Sequence, residues 1–332
     1  MKAVGKDRPI VEHILPFLDY CEVEKGLSSN TQKNYRQYLR LFVKWLVATG
    51  NKDLLPRELT AAHIWDYRLY LARIYLTPSG TCLTKKSQNY YLIALRVLLD
   101  FFAERDVEAL PSSKIKLAKQ GVEHSVTFLE MQEMERLLAV PDTTTPSGVR
   151  DRAILELFFS SGMRISELVS LNVGQVSFLT DKDPDRTYEL PIIGKGRHPR
   201  TVFISPHAAA WVRAYLTVRH TARVQFAAGA AEPLFTNVRS RSGADKRLSP
   251  RYIQMQLSRY AMRAGLSKKV TPHALRHTYA TDLLARGADL RSVQELLGHK
   301  NVATTQIYTH VTNKRLRDIH EKFHGGKDMK NE

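Results

Sequence analysis

The sequence predicts a mainly α-helical protein of two domains carrying one small antiparallel β-hairpin. Three observations lead there. The chain has 332 residues, about twice a common domain length. Its first half repeats apolar residues at helical spacing, and only one stretch, 186–205, alternates like a pair of strands.

The elements follow in order. A first helix is expected near Ile10–Val23. From Ser28 a second places Tyr35, Tyr38, Leu39, Phe42, Val43 and Leu46 on one face at 100° per residue. Ser28 or Asn30 can cap its start, and Gly50 can end it in a left-handed conformation. Thr60 can cap a third helix carrying Ile64, Tyr67, Leu71 and Ile74. Thr84 can cap a fourth carrying Tyr91, Leu92, Leu95, Leu98, Leu99 and Phe102, after a Pro/Gly loop at 76–86. Four such stripes bury one another as a bundle. A basic, weakly periodic linker over 113–126 separates this domain, residues 1–112, from a second over 127–332. There, "RDRAILELFFSSG" reads as a helix stopped by Gly162. The runs around Gly194–Arg197 form the hairpin, with a basic tip. "TNVRSRSGADKRLSPR" is a basic loop, and the chain is helical again from Thr271, with breaks at Gly287 and Gly298.

Composition narrows the function. At 43% hydrophobic and 25% charged residues the chain reads as soluble and globular. It contains no apolar run of 18 residues, so no membrane span is expected, and its polar first residues suggest a cytoplasmic protein. Cys21 and Cys82 fit neither a disulfide framework nor a CxxC metal pattern. Fifty Lys and Arg against 33 Asp and Glu leave a net charge of +17. Both parts are basic, +6 over residues 1–126 and +11 beyond, which points to a nucleic-acid partner rather than to one basic tail. On the second helix Lys33, Arg36, Arg40 and Lys44 fall within about 80° of each other by the helical step. No acid interrupts residues 31–52. A solvated face is the bland alternative; the absence of acids favours a phosphate-facing one.

Several segments can carry chemistry. In "TPHALRHTYATDLLARG", Thr271 and Pro272 suit a helix start, which puts His273 in the first turn and Arg276 on the same face. A helix N-terminus and a guanidinium both suit a phosphodiester; packing and an ion pair are the alternative. His273 and His277 stand at i and i+4 as in zinc motifs, but the glutamate is missing and Arg276 intrudes, so no metal is expected. Arg164 follows the Gly162 stop, and Glu167, three residues on, can hold its rotamer. His299 follows the Gly298 stop. Tyr308 lies nine residues further, so the chain must turn before the two can meet.

Arg164, Lys195, His273-x-x-Arg276, His299 and Tyr308 stand in the order seen in tyrosine recombinases, the lambda-integrase family. "HALRHTYATDLLARGADLRSVQELLGHKNVATTQIYTHV" resembles the Xer branch especially. The resemblance covers nearly the whole chain. It implies a helical core-binding domain followed by an α-rich catalytic domain. It also implies that Tyr308 attacks a DNA phosphate to give a 3′-phosphotyrosyl link, and that a 5′-hydroxyl leaves. Arg164, Arg276 and His299 would hold the non-bridging oxygens, His273 would relay the tyrosine proton, and Lys195 would protonate the leaving oxygen. No cofactor is implied. The implied partner is double-stranded DNA with a specific site, met by a homo-tetramer or by a hetero-tetramer with a related recombinase. Arg197, Arg200, Arg239, Arg241, Lys246 and Arg247 are expected on DNA backbone together with the second-helix cations. The tail from Arg315 is either a docking helix or a frayed end. Two other functions stay in view: a catalytically silent DNA-binding protein, and a type IB topoisomerase. Chromosome-dimer resolution and integration or excision of a mobile element both fit.

Overall fold

The computed structural model describes residues 7–119, 127–180, 185–194, 199–221, 232–237 and 247–298. The chain divides into two compact units, Met1–Glu123 and His124–Glu332. Among the described residues no helix is long and apolar enough to cross a membrane.

The first unit is helical. A short 3-10 turn at Ile10–His13 leads into α1 (Ile14–Val23), followed by α2 (Ser29–Ala48), α3 (Ala61–Leu69) and α4 (Lys85–Glu104). The starts of α2, α3 and α4 are capped by side chains, whereas α1 continues directly from the 3-10 turn. The Ser28 hydroxyl accepts from the Thr31 N–H, Thr60 from His63 and Thr84 from Ser87. Gly50, with φ +76°, turns the chain after α2. The apolar stripes meet in one core: Phe17 and Cys21 of α1, Leu39, Phe42 and Leu46 of α2, Ile64 and Tyr67 of α3, and Leu95, Leu98 and Phe102 of α4. Trp45 joins them, although it lies at the edge of the stripe read from sequence. Ile74 does not join. A wider π-helical turn over Tyr70–Ile74 breaks the 3.6-residue phase and leaves Ile74 68% exposed. Cys21 is buried and Cys82 exposed.

The second unit is built round α6 (Pro146–Ser161), which follows α5 (Met131–Ala139) and is buried along most of its length. α7 (Ile165–Ser170) follows after three residues. A 3-10 segment, Val173–Thr180, precedes β1 (Tyr188–Ile193), and β2 (Pro199–Ile204) returns antiparallel to it. α8 (Pro206–Thr221) and α9 (Pro250–Arg263) complete the core. A buried charge pair ties α6 to α9. Arg150 bonds Asp151, the Thr236 carbonyl and the Tyr252 hydroxyl, while Asp151 accepts from the Tyr260 hydroxyl. Every partner is polar and hydrogen-bonded, which makes burial of the guanidinium tolerable. Last come α10 (Pro272–Ala285) and α11 (Leu290–Leu297), joined by a small apolar cluster of Tyr279, Ala280, Leu284, Val293 and Leu297.

Candidate functional site

Three of the sequence-predicted catalytic residues, Arg164, His273 and Arg276, lie among the described residues, and helix ends position all three. Thr271 caps α10 by accepting from the Ala274 N–H at 3.1 Å, and Pro272 opens the first turn. His273 therefore stands at the exposed start of the helix and Arg276 one turn further in, 5% exposed. The Arg276 guanidinium donates to the Gly162 carbonyl at 2.7 Å and to the Leu297 carbonyl.

Both acceptors are helix C-termini. Gly162 closes α6 with φ +57°, and Gly298 closes α11 with φ +63°. Only a residue without Cβ fits either place. A Cβ on Gly162 would lie 2.3 Å from the Tyr279 ring, and one on Gly298 would lie 2.7 Å from Arg200 Cδ. The cluster between α10 and α11 holds the end of α11 against the arginine. Terminal carbonyls that lack an intrahelical partner are thus satisfied by a guanidinium, and a carbonyl fixes a cation without cancelling its charge.

Arg164 is the residue before α7, and its N–H donates to the Glu167 carboxylate at 2.7 Å. Its guanidinium donates to Glu167 at 3.0 Å and to the Gly298 carbonyl at 3.3 Å. The two arginines, 112 positions apart in sequence, therefore converge on consecutive carbonyls, those of Leu297 and Gly298. Arg200 adds a third cation. It clasps both oxygens of Glu167, at 2.5 and 2.9 Å. Burial pushes the Glu167 carboxyl up, but bonds from Arg200 and Arg164 outweigh this and hold it below the ordinary carboxylate value.

The histidines are tuned the other way. His273 keeps an exposed edge, yet partial burial and the Arg276 and Arg164 charges lower its pKa from 6.5. His277, more enclosed, is lowered to about 4 by burial, with His273 and Arg276 adding to the effect. Both rings are neutral at pH 7, the form that accepts a proton. Among the described residues no group of three or more His, Cys, Asp or Glu is placed to hold a metal ion.

The predicted DNA contacts separate into three groups. Lys33, Arg36, Arg40 and Lys44 are all exposed on α2. Arg200 and Arg247 point inward instead, toward partners within the protein. Arg200 pairs in register with Ile192 and shares its face with buried Val202 and Ile204. The Arg247 guanidinium is spent on the Val169 and Leu171 carbonyls and on Asn172, at 2.5–2.8 Å. The remaining site residues, Lys195, Arg197, Arg239, Arg241, Lys246, His299 and Tyr308, lie outside the described residues.

Sequence reasoning missed the second partner of Glu167. The signal was present: alternation along β2 puts Arg200, Val202 and Ile204 on one face. It also missed Tyr279 and the carbonyl acceptors, for which the sequence carries only the two helix-ending glycines.

Residues 127–315 match the model of the phage integrase family, and residues 14–106 match that of the phage integrase N-terminal SAM-like domain. The chain is 35% identical over 312 residues to tyrosine recombinase XerD of Lacticaseibacillus casei, covering 94% of this chain and 98% of that one. It is 38% identical to XerD of Corynebacterium glutamicum, covering 93% and 96%. XerC of Vibrio cholerae is 33% identical, covering 95% and 93%. In fold it is similar to the XerH site-specific recombinase bound to its palindromic difH substrate after cleavage, with TM-score 0.64, 23% identity, and coverage of 93% of this chain and 84% of that one.

Proposed function

The chain belongs to the phage integrase family of tyrosine recombinases, site-specific enzymes that cut and rejoin DNA through a tyrosine nucleophile, and we propose that six residues carry its reaction. Tyr308 attacks the scissile phosphate and takes the 3′ end as a phosphotyrosyl ester, and a 5′-hydroxyl departs. The free 5′-hydroxyl of a partner strand then attacks that ester, displacing Tyr308. The phosphate ester bond is exchanged rather than hydrolysed, so the chemistry draws on no nucleotide cofactor.

A phenol with pKa near 10 is protonated at neutral pH and needs help to attack. Neutral His273 receives or relays its proton. Arg164 and Arg276, with His299, hold the non-bridging oxygens as they gain charge; one preorganised donor of this kind is worth ~3–4 kcal/mol of barrier. Lys195 protonates the leaving oxygen, a contribution of about 10²–10⁴ in rate. The observation that carries this reading is the convergence of Arg164 and Arg276 on the Leu297 and Gly298 carbonyls, next in sequence to His299.

Lys33, Arg36, Arg40 and Lys44 track the DNA backbone from α2. The relatives at 33–38% identity along nearly the whole chain are Xer recombinases, which favours an Xer-type system: four protomers, of one chain or two related ones, on two synapsed sites. That system serves either chromosome-dimer resolution or mobile-element integration and excision.

The test begins by selecting the preferred site of the full-length chain from a randomised duplex pool. A nicked suicide duplex on that site then traps the cleaved state. The expected result is a denaturant-resistant protein–DNA adduct formed in EDTA and abolished by Tyr308→Phe. A bound duplex that yields no adduct points to the silent binder. Relaxation of a plasmid lacking the selected site points to a topoisomerase.

A further inference from the structure

Arg200 is a poor candidate for touching DNA. Its strand position turns it to the buried face of the hairpin, opposite Ile192. Its guanidinium meets Glu167 fork to fork, one Nη on each carboxylate oxygen, the geometry that gives Arg–carboxylate pairs their directional specificity. Its aliphatic shaft lies over Gly298, where even a methyl group would come within 2.7 Å. Its Nε is buried with no hydrogen-bond partner among the described residues. A guanidinium that leaves one N–H unsatisfied is placed for its carboxylate partner rather than for its own solvation.

Glu167 has two tasks in this arrangement. It accepts from the Arg164 N–H and the Arg164 guanidinium on one side, and from Arg200 on the other. An i,i+3 pair alone leaves the glutamate rotamer loosely determined, because both partners sit on one short element. A second cation, arriving from β2, pins both oxygens and fills their lone pairs. The charge count matters as well. One carboxylate against one arginine would cancel the charge that a phosphodiester needs. Two cations against one carboxylate leave a unit of positive charge.

We propose that Arg200 is a positioning residue for strand cleavage: by clamping Glu167 it fixes the rotamer and preserves the effective charge of Arg164. The proposal rests on the reading that Arg164 holds the scissile phosphate. Because β2 pairs with β1, the clamp also joins that hairpin to α7.

The test uses the full-length chain and the suicide duplex selected above, in two forms. One carries the normal phosphodiester. The other carries a methylphosphonate at the scissile position, where a methyl group replaces one non-bridging oxygen and removes the charge that Arg164 balances. Affinity across a salt series and single-turnover adduct formation at saturating protein are read for wild type, Arg200→Ala and Arg200→Lys. For Arg200→Ala we expect affinity within about twofold of wild type and an unchanged salt slope. Its cleavage rate on the phosphodiester should fall about 10–100-fold, as for loss of a residue that orients a functional group. On the methylphosphonate the loss should shrink to about threefold or less. Arg200→Lys keeps the buried charge without the fork and should fall between wild type and Arg200→Ala on the phosphodiester. Weaker binding with a shallower salt slope and a normal saturated rate would make Arg200 a backbone contact. Equal losses on both substrates would place its action elsewhere than through Arg164, and an unchanged rate would remove the role. A wild-type chain that forms no adduct brings down the recombinase reading and the clamp with it; a wild-type adduct matched by Arg200→Ala brings down the clamp alone.

Discussion

Replacing Glu167 by Gln probes the most heavily bonded charge at the site. The carboxylate is 4% exposed and accepts four hydrogen bonds, at 2.7, 3.0, 2.5 and 2.9 Å, from Arg164 and Arg200. A glutamine keeps one oxygen and turns an NH₂ donor toward guanidinium donors. Two cations, with side chains only 24% and 11% exposed, then face each other across a neutral group. Breaking a buried pair this way costs about 3–5 kcal/mol; the partial exposure of Arg164 places this case near about 3. With a urea slope of about 2 kcal/mol per molar, the midpoint of the second unit should drop by roughly 1.5 M at pH 7. The pH dependence has a definite sign. The folded carboxyl titrates below its ordinary 4.5, so its contribution is present above that value and is lost as pH falls through the lower folded value. Glu167→Gln should remove that part of the acid limb. Removing Arg200 as well should recover part of the loss, because one uncompensated cation disappears. A Glu167→Gln midpoint within about 0.5 M of wild type at pH 7 would refute the reasoning, since the slope then gives a cost of only about 1 kcal/mol.

Two further outcomes follow from the same geometry. Gly162→Ala puts a Cβ 2.3 Å from the Tyr279 ring at φ +57°; backbone strain and overpacking together should cost about 2–4 kcal/mol, read from the urea midpoint. In a Tyr279→Ala background the cost should fall to about 1 kcal/mol of backbone strain, and equal costs in both backgrounds would reject the steric account. His277 is lowered from 6.5 to about 4, so the unfolded chain binds its proton first. Stability should decline as pH drops from about 6.5 toward 4 and be flat above, with His277→Gln removing that decline; a midpoint that rises on acidification would reverse the argument.

Much of the fold was legible because its determinants are local. Ser28, Thr60, Thr84, Thr271 and Asp289 each accept from an N–H three residues on, and the left-handed glycines at 162 and 298 follow their helices directly, with Gly50 one residue beyond the end of its own. Such pairings sit inside one turn and need no knowledge of what packs above them. Helical periodicity likewise located the core of the first unit. The pairing of Arg164 with Glu167 could be anticipated at i,i+3 for the same reason.

Position in sequence alone could not say where the other cations of the site go. Arg276 is held by a carbonyl 114 residues away, and Arg247 by carbonyls 76 and 78 residues away. Arg200 reaches Glu167 across 33 residues. In the sequence each is one more arginine in a basic chain, equally suited to a phosphate. Packing made the difference: once β2 laid Val202 and Ile204 against the core, its two-residue period carried Arg200 inward, where Glu167 receives it. The sequence by itself determined which segments are helices, where they stop, and that the chain is strongly basic. The tertiary structure decided which cations stay exposed for a polyanion and which are taken up in arranging the site, because burial excludes water and forces each charge to find a partner.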